Sequence, residues 1–281
     1  MGWEQERAVL SINTNMMAMT ARRYWMATES ALAVTTARLA SGLRINSARD
    51  DPAGLAISER LLAQIRGTDV AARNANDAIS RAQVGESASS SVAGVLQRMN
   101  ELAVQASNGS LTSADRDLLE VEFDQLQAEV TDLVSTTKYN GATLLNNADS
   151  AAFQVGPDPG QTVTISNTDL AGLATTVSGL SLADGTGALA TAANAALATA
   201  LTTATTAQAA WGATQSRFDS VASNLQSSSI LLTAARGRIV DADFATEAAN
   251  RSRLLLLQDA ATAMLAQANA RPQSVLSLLL G

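Results

Sequence analysis

The stretch Arg38-Leu-Ala-Ser-Gly42-Leu-Arg-Ile-Asn-Ser-Ala-Arg-Asp50-Asp51-Pro52-Ala-Gly-Leu-Ala-Ile-Ser-Glu-Arg60 decides how the chain is organised. It reads as a joint between two helices. Ser41-Gly42 closes one helical pattern, because glycine supplies the left-handed conformation that a helix C-terminus often needs. Asp50-Asp51-Pro52 opens the next, since an Asp cap, an acidic first turn and Pro at the first helical position all favour a helix N-terminus. Residues 43–48 between them have no helical period. With Arg44, and Arg49 just after, they read as an extended connector over 41–51.

Before the joint, Ile12, Met16, Met19 and Met26 fall at spacings of four, three and seven, with Arg23 in the remaining slot. That is a heptad stripe and predicts a helix over 11–40. After the joint, Pro52 to about Ser107 reads as one helix whose buried side carries Leu55, Leu61, Leu62, Ile65, Ile79, Val92, Val95, Leu96, Met99 and Leu102. At 1.5 Å per residue it would span roughly 80 Å, a length suited to a rod. Asn108-Gly109-Ser110 is a turn, and Thr112 or Ser113 caps a following helix. On that helix Leu119, Phe123, Leu126, Val130 and Leu133 alternate spacings of four and three. The rod helices are therefore expected over 52–137.

Asn140-Gly141 is a tight-turn signal. Phe153 to Gly156, Pro157-Asp-Pro-Gly160 and Thr162 to Ile165 read as two strands around a turn. Residues 166–187 are rich in Gly, Ser and Thr and read as loop, so 138–187 form a β-hairpin and loop region. Helix resumes over 188–240, where Phe218, Leu225, Leu232 and Ile239 recur every seven residues. This seam is expected to face the 119–133 stripe. A last helix occupies 241–281. The fold class is mainly α: an elongated antiparallel helical bundle or coiled coil, with a small β-hairpin region and paired terminal helical arms.

Composition narrows the function. Apolar residues make up 47% but aromatics only 3%, which suits long helices packed through alanine better than a thick globular core. The net charge is −7, with no basic block to follow a nucleic-acid backbone. No window has eighteen consecutive apolar residues, so no membrane span is expected. The N-terminal residues are acidic and lack the apolar core of a secretory signal. Cysteine and histidine are both absent, which removes thiolate metal sites and the commonest general base. Asp50-Asp51 and the Asp241/Asp243 pair read as helix-start acids, not as acid–base or metal groups. No phosphate loop, nucleophile elbow or metalloprotease helix motif occurs. No catalytic residue, cofactor or metal is expected.

The two terminal arms are rich in large apolar side chains, yet either arm alone would bury too little to offset the entropy of ordering it. Each is expected to fold against the other and against neighbouring molecules. Residues 11–49 hold five Arg and one Glu, whereas 241–281 hold four acids and three Arg. Ion pairs at such a rim set register more than they drive association.

The joint, with Ser41-Gly-Leu-Arg-Ile-Asn-Ser-Ala-Arg-Asp-Asp51, resembles the end of the N-terminal arm of bacterial flagellin. So do Ser11-Ile-Asn-Thr-Asn15, Arg73-Asn-Ala-Asn-Asp77, Leu102-Ala-Val-Gln105, Gln215-Ser-Arg-Phe218, Arg236 to Glu247 and Leu265 to Leu278. The resemblance covers about residues 11–145 and 205–281, with no room between for outer variable domains, and so implies a minimal form. Departures are the ten leading residues 1–10, the bulky Arg22-Arg23-Tyr24-Trp25, Trp211 in place of a smaller aliphatic residue, and the Leu280-Gly281 ending. The resemblance implies a structural subunit that is exported unfolded, polymerises with itself into the extracellular flagellar filament and serves swimming motility. A hook–filament junction protein, or another secreted coiled-coil protein, is the alternative. The family also implies an export chaperone, a filament cap and junction proteins as partners, and no nucleic acid or membrane. By the same resemblance Arg98, Leu102 and Glu122 match the contact patch for a host Toll-like flagellin receptor. Ile12, Met16, Met19, Gly42, Arg44, Leu265, Val275, Leu276 and Leu279 are the assembly candidates on the arms and joint.

Overall fold

The computed structural model describes residues 14–280, and for 272–280 only the helical backbone. Its elements are α1 (Met16–Ser41), α2 (Pro52–Ala106), α3 (Ser113–Thr136), β1 (Lys138–Tyr139), β2 (Ala142–Thr143), β3 (Ser150–Gln154), β4 (Thr162–Ser166), α4 (Ala171–Ser178), α5 (Ala188–Val240) and α6 (Phe244–Leu280). They form two compact units, one from Ala63–Leu232 and one from the two ends of the chain, with the divisions falling inside α2 and α5.

Within the Ala63–Leu232 unit, two helical seams make the core. On α2 the buried positions Ala71, Ala75, Ala78, Ala82, Gly85, Ser89, Val92, Leu96, Met99, Ala103 and Ala106 alternate spacings of four and three without a break. On α5 Ala190, Ala193, Leu197, Ala200, Ala204, Ala207, Trp211, Phe218 and Leu225 keep the same heptad frame. Alanine at most of these positions lets helix backbones approach closely. Trp211 interrupts the alanines, and Gly85 of α2 makes room for it: a Cβ on Gly85 would lie 2.6 Å from the indole Cε2. α3 adds Phe123, Val130 and Val134 to the same cluster. The helix starts from a complete capping box, in which Thr112 and Asp115 satisfy each other's backbone N–H groups.

The strands pair as two antiparallel hairpins. β1 and β2 turn at Asn140-Gly141, with φ of 48° and 82°. β3 and β4 pair Phe153 with Val163 and Ala151 with Ile165. Phe153 meets Phe218 edge-on, with ring centroids 5.8 Å apart, so the α5 seam is covered there by the hairpin. The 166–187 stretch departs from the loop expectation, because it contains α4. Leu173, Ala174 and Val177 bury one side of that helix. The Gln127 amide of α3 donates to the carbonyls of Val177 and Leu180 at 2.9 and 2.8 Å, satisfying orphan groups at its C-terminus.

In the other unit, α1 and α6 run antiparallel, with Asn15 Nδ2 donating to the Ala268 carbonyl at one end and Arg38 paired with Glu247 at the other. The inward residues of α1 are Ala18, Ala21, Trp25, Thr28, Leu32, Thr35 and Leu39, an alternation of three and four. This corrects the sequence expectation. The stripe of Met16, Met19, Arg23 and Met26 has the same period but lies exposed. Periodicity alone cannot choose between two heptad faces of one helix, and here the inward face is the one that carries Trp25, Leu32 and Leu39 among alanines and threonines.

Candidate functional site

The joint behaves as its residue types dictate. Gly42 closes α1 with φ of 70°, and its N–H donates to the Arg38 carbonyl at 2.8 Å. The chain then runs beside the end of α5. Arg44 N–H donates to the Val240 carbonyl at 2.7 Å, and Ala242 N–H donates to the Gly42 carbonyl at 2.9 Å. The Arg44 guanidinium adds a bond from Nη2 to the Ile239 carbonyl at 2.5 Å, where a cation complements a helix C-terminus. Asp50 accepts from the backbone N–H groups of Ser47 and Asn46 and from the Ser47 hydroxyl, which together lower its pKa below the usual carboxylate value. Asp51 accepts from Gly54 N–H at 2.9 Å and caps α2. Across the strand-like contact, Asp243 caps α6 through the Thr246 hydroxyl and the backbone N–H groups of Thr246 and Ala245, again with a lowered pKa.

The arms themselves bury little. Met16 and Met19 are exposed, Leu265 is half-buried, and Ala268 is buried. Met16, Met17, Thr20, Ala21, Tyr24 and Thr28 of α1, with Leu257, Ala260, Ala261 and Met264 of α6, line an open apolar groove of about 610 Å³. Leu255 and Leu256 are exposed beside it in sequence. The helix carries Val275, Leu276 and Leu279 further along α6, and Ile12 lies outside the described residues. Met16 thus joins a groove wall, whereas Gly42 and Arg44 sit at the opposite end of α1. The groove residues Met17, Tyr24, Leu257 and Met264 were not among the candidates. Each lies one position before an inward residue of its helix, at Ala18, Trp25, Gln258 and Leu265.

In the Ala63–Leu232 unit the candidate patch is only partly assembled. Arg98 Nε and Nη2 reach Glu122 Oε1 at 2.9 and 2.8 Å, and Nη1 reaches Glu101 Oε2 at 2.9 Å. These bonds, with Glu122 first, raise the Arg98 pKa and hold its charge. The patch is exposed. Leu102 is not part of it: it is 1% exposed and packs in the core. It lies three residues after Met99 on the core side of α2, while Arg98 and Glu101 face out. Nearby, the buried Arg116 donates to the carbonyls of Ala106, Asn108 and Asp184 at 2.8, 3.1 and 3.3 Å, tying the end of α2 to the start of α5.

The model of the bacterial flagellin N-terminal helical region matches residues 12–150, and that of the C-terminal helical region matches residues 195–279. The chain belongs to the bacterial flagellin family. It is 41% identical to a flagellin of Halalkalibacterium halodurans over 95% of this chain and 99% of that one. Against Flagellin B of Vibrio cholerae it is 46% identical over 56% of its length, which spans 42% of that larger flagellin. A solved structure described as a flagellar hook-associated protein from Vibrio parahaemolyticus shares the fold, with a TM-score of 0.57 at 16% identity over 68% of this chain and 100% of that one. Flagellin membership makes the chain a structural subunit of the flagellar filament. The stretch between the two matched regions is where β4 and α4 lie.

Proposed function

We propose that the paired arms α1 and α6 are the surface through which copies of this flagellin join, each apolar groove taking side chains of a second copy. The observation that carries this reading is a helix pair that holds Met16, Met19, Leu256 and Met264 in solvent, while among the described residues of the two helices only Thr35, Glu247 and Ala268 are buried. Large exposed apolar faces of that kind mark interaction surfaces. The chain would be exported unfolded through the flagellar channel with a dedicated chaperone. It would polymerise outside the cell between junction proteins and a cap. Seeded polymerisation followed by electron microscopy tests the surface. Leu257→Asp and Ala260→Asp should each slow filament growth by about tenfold or more, and growth at the unaltered rate would overturn the assignment.

Arg98 and Glu122 present a charged, exposed pair that matches two members of the contact set for a host Toll-like flagellin receptor. In this reading Leu102 supports the patch from beneath. Arg98→Ala should lower receptor signalling about tenfold while leaving the melting temperature unchanged. An unchanged response would reject the patch.

A further inference from the structure

The seven methionines of this chain are its only sulfur atoms, because it has no cysteine. Their placement is uneven. Met16, Met19, Met264, Met17 and Met26 are 64, 60, 56, 51 and 48% exposed, all on the arms, whereas Met99 in the core of the other unit is 0% exposed. Met16, Met17 and Met264 come from two helices and converge on the same apolar groove. Met17 and Met264 also border a smaller cleft of about 90 Å³ with Gln267 and Arg271.

Such a cluster has a chemistry that leucine in the same places would lack. A thioether reacts with a two-electron oxidant according to its access to solvent, and the product is polar. We propose that Met16, Met17 and Met264 form an oxidation site, at which hydrogen peroxide converts thioethers to sulfoxides and so blocks the groove as an assembly surface. This rests on the proposed role of the arms in joining copies. In each event a sulfur lone pair attacks one peroxide oxygen and the O–O bond breaks. The sulfur gains an S=O bond and is oxidised by two electrons, while the departing oxygen leaves as water after taking up the peroxide proton. The sulfoxide oxygen is a strong acceptor that must keep its hydration, so it cannot enter an apolar contact without a donor. At Met17 a donor stands ready, because Arg271 Nη1 already points to the sulfur at 3.6 Å. Met16 and Met264 are the positions where the added oxygen weighs most against a second copy.

Assembly would itself protect the site, since a neighbour seated in the groove removes peroxide access. The vulnerable species is the free chain, and oxidation would select against its incorporation without attacking polymer already formed.

The test uses the full chain. Dilute monomer is treated with hydrogen peroxide, and tryptic peptides are mapped by mass spectrometry over time. The groove methionines should gain one oxygen each at least about tenfold faster than Met99. Equal rates at Met99 and in the groove would overturn the site, whether or not the chain polymerises. Oxidised and untreated monomers are then compared in seeded growth, with a Met16→Leu, Met17→Leu, Met264→Leu variant alongside. Leucine keeps the apolar volume and removes the sulfur. Peroxide should slow the unaltered chain by about tenfold and the variant by less than about twofold. Full-rate growth of oxidised chain, or equal peroxide sensitivity of the variant, would overturn the inference while leaving the arm surface intact. Failure of the untreated chain to grow would instead count against the arm reading, and the peptide map alone would then judge the site.

Discussion

Trp211 and Gly85 show how a single bulky residue is fitted into an alanine seam. The indole is buried, and the glycine opposite leaves the space its ring needs. Gly85→Ala should therefore cost about 1–3 kcal/mol, although alanine is the better helix former. Melting of the single variants and of the pair with Trp211→Leu forms a double-mutant cycle. The smaller residue should rescue the alanine, and strict additivity would show that the two positions do not couple. The same scale separates Leu102 from its neighbour Arg98. Leu102→Ala should destabilise the monomer by about 2–5 kcal/mol. Arg98→Ala, on an exposed ion pair, should leave the melt nearly where it was. Equal melts for the two variants would return Leu102 to the surface.

Among the elements, the start of α5 carries the clearest electrostatic signature. The Asp184 carboxylate accepts from the backbone N–H groups of Leu189, Gly187 and Thr186 and from the Thr186 hydroxyl. These bonds, led by Leu189, bring its pKa down to about 2 from 3.8. A depressed carboxylate stabilises the folded chain above its unfolded pKa, and that contribution fades as pH falls through the folded value. Asp184→Asn should flatten the loss of melting temperature between roughly pH 4 and pH 2. A slope unchanged by the substitution would reject this cap as a source of acid sensitivity. Much of the element map was legible in the sequence because it rests on local rules. Gly42 needs a positive φ, Asp51 and Pro52 open α2, and the α5 heptads run unbroken from the alanines to Phe218. What was not legible depended on choices between equivalent local patterns. The outward methionine stripe of α1 has the period of a buried one. α4 hides in a Gly/Ser/Thr-rich segment, since its buried side needs only three residues and a cap borrowed from Gln127. The burial of Leu102 was legible in the apolar period of α2, whereas the receptor motif that also claimed it records identity and not direction.

At the scale of the whole molecule, the two units differ in how much of their stability is their own. The Ala63–Leu232 unit holds an extensive buried cluster, whereas the terminal unit keeps many large apolar side chains in water. Limited proteolysis of dilute monomer should cut first within α1 and α6 and spare α2 between Ala71 and Ala106, in keeping with local opening where few apolar contacts are buried. The arm cuts should vanish in filaments. Arms that resist the protease as well as the core does would remove the case for folding coupled to assembly. The buried indole of Trp211 also has no hydrogen-bond partner on Nε1, and Trp25 of α1 is only half-buried. The two rings are thus lodged in surroundings of unlike polarity, so each unit carries its own optical reporter. In a Trp3→Phe background, emission from Trp211 should lie toward the blue and resist aqueous quenchers. Emission from Trp25 should start redder and shift as copies join, letting assembly be followed in real time without an attached dye.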